Sequence, residues 1–494
     1  MRRRPFRRAG AALTGLWIAA LCFAASAGAQ TQATSRPDTR RAEILQAYGG
    51  AYDGPIGGYV SRVGERMAVA AGQGGRCTFS VIDSPVVNAF AAPPGCDIYI
   101  TRGLLGLIRS EDELAAVLGH EVGHVAANHA GRRQTRSAIT GLGALVLGAV
   151  TGSGAVAQIA GQVGQLGVLS YSREQEFEAD SLSARYLASS HYDPSGLPDM
   201  LSALQASDQV EALGRGTEPK AQPVWSRTHP LTGDRIARAA AEAQRSGAVP
   251  GQVADRPDPY LAEVDGLVWG DDPDQGVVLG RNFLHPGLGF GFTAPAGFVL
   301  ANSPTAVAMQ GPGDLRALFA AGGSGDLTDQ AYAALRRVIG QAQAQAGEIQ
   351  RTRINGFDAV VLPARARGNN GWVDVTVAVY AVGKDAFLLI ALAPAGQGQA
   401  FDPLIGSFRR LSAEERAEAR PRRIQVITVR PGDTPASLAA RMAVEARPRE
   451  QFEAINGLGP GDALRPGDRV KIVVAGSVPP HLRAGEGQAS HFQP

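Results

Sequence analysis

His120-Glu121-Val122-Gly123-His124 is the stretch of this 494-residue chain whose residue types and spacing can do chemistry. On a helix, residues four apart share a face, so both imidazoles can reach one ion. Glu121 lies one step round the helix. It cannot easily join the same ligand set, but it can reach a water on the ion's open side. A zinc ion there lowers the pKa of that water, and the carboxylate takes its proton as it attacks a peptide carbonyl. The chain has only eight histidines, so a chance match to this pentapeptide is improbable. The expected chemistry is peptide hydrolysis with one Zn2+ per chain, held by His120 and His124, and with Glu121 as general base.

A catalytic zinc takes three protein ligands and keeps one position open. His129 is the nearest third histidine, but His124-Val125-Ala126-Ala127-Asn128-His129 lacks the glycine and the histidine register of the metzincin continuation. It reads as a helix-end or packing histidine. The better source is Ser172-Arg173-Glu174-Gln175-Glu176-Phe177-Glu178-Ala179-Asp180. Glu176 and Asp180 share a helical face, so one can bind zinc while the other orients a ligating imidazole. Glu178 points elsewhere and reads as a solvated acid. In Thr228-His229-Pro230 the proline fixes the backbone and a helix follows, so His229 can be presented rigidly. At the zinc it would serve as a restraining fourth ligand or as an oxyanion donor. The plainer alternative is a histidine that caps the next helix or packs on Trp225.

The surrounding sequence predicts what positions these groups. Residues 40–75 read as helical. Cys77–Ile82, Asn88–Ala91 and Asp97–Thr101 read as short strands separated by Asp83-Ser84-Pro85 and Pro93-Pro94-Gly95 turns. Ser110 and Glu113 have capping-box spacing at the head of the motif helix, and Ser172 and Gln175 at the head of the second. Residues 138–170 are apolar but broken by Gly, Ser and Gln, short of a bilayer span. They read as buried or groove-lining helices, with peripheral membrane contact as the most they would make.

His120–His124, the Glu176–Asp180 spacing and Asp83-Ser84-Pro85-Val86-Val87-Asn88-Ala89-Phe90 together resemble the HtpX-like and prenyl-CAAX-protease-like zinc peptidases, over roughly residues 40–245. The likeness is closest to their soluble periplasmic branch. It implies a gluzincin domain with Glu176 as third ligand and Asp180 holding a ligating imidazole. It also implies that Asn88, Ala89, Phe90 and Ala91 receive substrate by β-addition. The stretch from Trp225 to Ile236 is similar to a His-Pro…Arg-Ile element of the soluble relatives. The helical repeats that often follow the protease in that branch are not visible here.

The rest of the chain carries no second catalytic constellation. Residues 247–280 are rich in Pro, Asp and Gly and read as a linker. Residues 281–412 alternate strands with two helices, and Asn355-Gly356 predicts a hairpin. Residues 413–423 read as a charged linker. Residues 424–474 resemble a LysM module through Val429-Arg430-Pro431-Gly432-Asp433-Thr434, Phe452-Glu453-Ala454-Ile455-Asn456-Gly457-Leu458 and Leu464-Arg465-Pro466-Gly467-Asp468-Arg469-Val470. That resemblance implies a βααβ fold and peptidoglycan as ligand, although Pro435 replaces the usual aliphatic residue. The module is expected to be separable from proteolysis. The last twenty residues, 475–494, read as disordered. The expected fold class is α+β: a mainly helical zincin domain (40–246) with a short sheet, then an α+β domain, then the small module.

Residues 1–29 read as a cleaved signal peptide: five arginines, an apolar stretch to about Ala25, then Ala27-Gly28-Ala29. Removing those arginines from 48 basic and 46 acidic residues leaves a formal charge of −3, which gives no basic face for nucleic acid. Cys77 and Cys96 remain, either as a disulfide in an oxidising compartment or as two buried thiols. The expectation is a periplasmic zinc endopeptidase acting on unfolded or misassembled envelope proteins. The alternatives are a chaperone-like assembly factor using the same groove, or a peptidoglycan-peptide hydrolase targeted by the last module.

Overall fold

The computed structural model describes residues 37–132, 171–214, 225, 229–230, 233–246, 258–340, 342–368, 371–444, 446–459 and 461–477. The expected signal peptide, the apolar stretch 138–170 and the tail from 478 lie outside the described residues. Among the described residues no helix is long and apolar enough to cross a membrane.

The first domain packs helices on one small sheet. The helical start divides into α1 (Pro37–Tyr48) and α2 (Ile56–Ala70). Strands β1 (Cys77–Ile82), β2 (Ala89–Ala92) and β3 (Cys96–Thr101) lie in the order β1-β3-β2, with β1 parallel and β2 antiparallel to β3. Cys77 and Cys96 are register partners in the parallel pair and are joined by a disulfide. After α3 (Arg102–Leu107) comes the motif helix α4 (Glu111–Ala126), whose residues Glu113 to His124 are all buried. Ser110 caps it by accepting from the Glu113 amide. The Glu113 carboxylate turns instead to Arg109, whose amide it accepts at 2.7 Å. Only half of the expected capping box therefore forms.

Helix α5 (Arg173–Ser189) has the full box between Ser172 and Gln175. It approaches α4 closely because α4 offers glycines on that side. A Cβ on Gly123 would stand 3.3 Å from the Ala179 carbonyl oxygen, and one on Gly119 3.0 Å from Ser183 Oγ. Helices α6 (Gly196–Gly214) and α7 (Gly233–Arg245) close the far side.

Residues 258–280 differ from the linker expected over 247–280. Tyr260, Val264 and Leu267 are buried in the first domain's core, and Tyr260 Oη donates to the Leu105 carbonyl at 2.6 Å. Strand β4 (Val268–Trp269) then pairs with β5 (Arg422–Thr428) of the last module. Between them, the second domain carries an eight-stranded and a four-stranded antiparallel sheet among its described residues. Asn355 and Gly356 make its expected hairpin turn at φ 47° and 88°. The last module runs β5, helix Pro435–Ala439, helix Pro448–Asn456 and β6 (Arg469–Ala475), with β5 and β6 antiparallel. Pro435 occupies the first turn of its helix, where a missing amide hydrogen costs nothing.

Candidate metal centre

The helical period brings His120 and His124 together at the buried centre of α4. Their Nε2 atoms lie 3.0 Å apart, with the ring planes nearly perpendicular. From α5, Glu176 reaches the same point. Its Oε2 is 3.5 Å from His120 Nε2 and its Oε1 3.5 Å from His124 Nε2. His229 enters from the segment before α7, with Nδ1 3.0 Å from Glu176 Oε1 and 3.4 Å from His120 Nε2. One ligand atom from each of these four buried residues lies within 4.8 Å of all the others.

This donor set fits a single divalent cation. The outward nitrogens of both motif histidines face partners: His120 Nδ1 lies 2.9 Å from Asp180 Oδ1, off hydrogen-bond geometry, and His124 Nδ1 lies 2.7 Å from His129 Nδ1. That leaves both Nε2 atoms facing the carboxylate at the centre of the cluster. Asp180 and Glu176 are both tied to Arg235 of α7, which is 2% exposed. Arg235 donates from Nε and Nη2 to Asp180 at 2.8 Å each, and its Nη1 lies 2.7 Å from Glu176 Oε2. Trp225 stacks on His229 with ring centroids 4.3 Å apart, and Tyr171 stacks on His124 at 3.8 Å.

Glu121 is fully buried beside this cluster, and neither of its oxygens makes a hydrogen bond of normal geometry. His229 Nε2 is 3.5 Å from its Oε1. Burial raises its pKa above the ordinary carboxylate value, opposed by the positive charge of His229 and His120 and by the nearby Ala91 amide. Burial also works against ionisation of Glu176, but His229 and Arg235 outweigh it and hold that carboxyl well below its usual range. These two carboxyls, on separate helices, are thus driven in opposite directions: Glu121 toward holding a proton, Glu176 toward ionisation.

Strand β2 is bonded on one side only, to β3, among the described residues. Ala89, Phe90 and Ala91 belong to it, as expected. Asn88 lies just before it; its backbone amide donates to Thr101 Oγ1 and its carbonyl accepts from the Thr101 amide, each at 3.0 Å.

The sequence reading missed three groups. Arg235 lay within the His-Pro…Arg-Ile stretch, but no partner for it is visible without α7 packed on α5. His129 is not a mere packing residue, since its ring meets a motif histidine. Glu178 is not simply solvated, because its Oε2 lies 3.1 Å from His129 Nε2.

Residues 57–243 match peptidase family M48. The first domain is 30% identical over 199 residues to the beta-barrel assembly-enhancing protease of Yersinia pestis, covering 38% of this chain and 39% of that protein. It is 29% identical over 180 residues to mitochondrial metalloendopeptidase OMA1 of Schizosaccharomyces pombe, covering 36% of this chain and 50% of that one. It is 35% identical over 116 residues to metalloprotease LoiP of Escherichia coli, covering 22% of this chain and 44% of that one. The chain thus spans half or less of the length of each of these relatives. The matched stretch contains every residue of the histidine–carboxylate cluster, so residues 57–243 carry a peptidase M48 domain of the metallopeptidase kind.

Proposed function

We propose that the protein is a zinc endopeptidase of the cell envelope that hydrolyses misfolded or misassembled envelope proteins. The observation that carries this reading is the buried Glu121 carboxylate set beside four convergent donors. His120, His124 and Glu176 would hold the metal, which when bound supplies Lewis acidity to the attacking water and to the scissile carbonyl. Glu121 takes the proton of the attacking water and returns it to the leaving amine. Asp180, clamped by Arg235, fixes the His120 ring. The open edge of β2 would pair with an extended substrate backbone and lay it along α4.

His229 serves in this reading as a fourth donor that restrains the resting enzyme. Its 3.0 Å approach to Glu176 and 3.4 Å approach to His120 support that role. The substrate class is supported by the names of the relatives, which include a beta-barrel assembly-enhancing protease. Envelope location rests on the export-like first 29 residues. The last module would bind peptidoglycan as a LysM-like domain, a reading supported by its βααβ order and by the exposure of residues 430–432 and 461–463. Co-sedimentation of the full chain with purified sacculi tests that part, and its absence leaves the module a spacer.

The central test is Glu121→Gln. Zinc content should stay at one ion per chain while casein cleavage falls by about two to four orders of magnitude, the range for a lost general base. Near wild-type cleavage would remove Glu121 from the reaction, whereas lost cleavage with unchanged envelope function would favour a chaperone-like use of the groove.

A further inference from the structure

Past the end of α4, Asn128 adopts a left-handed conformation at φ 50°. That turn folds the chain back, so His129 lies against the last turn of the helix instead of continuing along it. The His129 side chain is 0% exposed. Gln175 Nε2 donates to its backbone carbonyl at 3.1 Å, which ties this corner to the head of α5. The His129 ring meets His124 edge-on, with Nδ1 to Nδ1 at 2.7 Å. Its other nitrogen, Nε2, lies 3.1 Å from Glu178 Oε2, and the same oxygen accepts from Arg132 Nη2 at 2.9 Å.

The tautomers along this chain are fixed by one condition. A metal on His124 Nε2 leaves the only ring proton of His124 on Nδ1. That N–H must donate, so His129 Nδ1 must be bare. His129 then carries its proton on Nε2 and donates it to the Glu178 carboxylate. Every contact in the chain is satisfied once and in one direction. Without a proton on His124 Nδ1, His129 would have to donate from its own Nδ1 and would turn a bare Nε2 toward the Glu178 carboxylate.

We infer that His129 and Glu178 are positioning residues for the metal: the chain His124–His129–Glu178 orients the His124 ring and strengthens its Nε2 as a donor. The inference rests on the metallopeptidase reading above. It makes the support of the two motif histidines unequal in kind. His120 leans directly on Asp180, which is buried and clamped by Arg235. His124 leans through a second imidazole on a carboxylate at the protein surface, where the Glu178 side chain is 46% exposed. The outer end of the metal site can therefore be altered without disturbing the core.

The test measures zinc affinity of the full-length mature chain by competition with a chromophoric chelator, together with the visible spectrum of its cobalt(II) form and the melting temperature of the metal-stripped protein. His129→Phe keeps the ring's bulk but removes the acceptor for His124 Nδ1–H. It should weaken zinc binding by about ten- to a hundredfold, the usual loss when such an outer partner is removed, and shift the cobalt bands. His129→Gln restores an acceptor oxygen and should recover most of that loss. Glu178→Gln keeps an acceptor without its charge and should fall between wild type and Glu178→Ala. Wild-type zinc affinity in His129→Phe overturns the inference. So does an equal loss in His129→Phe and His129→Gln that tracks the melting temperature, which would mean packing alone. A wild-type chain that binds no zinc defeats the metallopeptidase reading and this inference with it.

Discussion

His229 faces two carboxylates at once, with Nδ1 3.0 Å from Glu176 Oε1 and Nε2 3.5 Å from Glu121 Oε1. On the proposed mechanism, a side chain so placed competes with the water that Glu121 would activate. His229→Ala should therefore raise basal casein cleavage severalfold with zinc retained. A fall of about a hundredfold or more would assign it instead to stabilising the tetrahedral oxyanion. No change in rate or zinc affinity would leave it as structure packed on Trp225. At this scale the sequence exposed what a single helix can expose. His120, Glu121 and His124 follow from the helical period, and Glu176 with Asp180 from the same period on a second helix. Arg235 and Glu178 were illegible because their partners lie 55 and 49 residues away in the chain. His129 does pack at the helix end as read, but nothing in the sequence shows that it packs on His124.

At the scale of elements, local signals were sound where one short-range rule decides. The Ser172 cap and the Asn355-Gly356 turn are of that kind, since each satisfies its own backbone. The linker reading of 247–280 failed because Tyr260, Val264 and Leu267, although spaced i, i+4, i+7, sit in a stretch rich in Pro, Asp and Gly where helix Tyr260–Glu263 is only four residues long, so docking alone reveals them as core. The strand Asn282–His285 holds a similar surprise. His285 is 4% exposed, and its Nδ1 accepts from the Leu288 amide. Burial depresses its pKa from 6.5 to about 3. The folded state thus refuses a proton that the unfolded chain accepts between those values. Above pH 6.5 the residue has no effect on stability, and as pH falls from 6.5 toward 3 it costs progressively more, on the order of 4 kcal/mol at the end. His285→Asn, which keeps an acceptor but cannot charge, should flatten that loss in urea unfolding followed across pH 7 to 4. An unchanged slope would place the acid sensitivity elsewhere.

At the scale of the whole molecule, the last module is built into the protease instead of hanging from it. Lys471 of β6 is 0% exposed, and its ammonium donates to the carbonyls of Gly106, Leu107 and Ile108 at 2.8, 3.1 and 2.7 Å. Gly106 and Leu107 end α3 and Ile108 caps it, just before the motif helix begins, where carbonyls have no partner within the helix. Trp269 of β4 lies against Gly106, where a Cβ would come within 2.9 Å of the indole. Arg102 joins the same seam, donating to Asp83 and to the carbonyls of Val268 and Gly270. Ile424 of β5 is counted in the first domain's core. These contacts argue against the separability expected from the sequence, where a compact module behind a charged stretch gives no sign of what its buried face touches. Removing residues 422–494 would unpair β4, bare Trp269 and leave three carbonyls without a donor. The truncated chain should melt at lower temperature and lose casein cleavage on mild heating, even though no group of the metal cluster is removed. Lys471→Ala in the full chain isolates one part of this and should cost roughly 1–3 kcal/mol, the range for buried polar groups left unsatisfied. If the truncated chain melts and cleaves like the whole, the seam is incidental. If Lys471→Ala alone reproduces most of the loss, the module acts on the motif helix chiefly through the corner between α3 and α4.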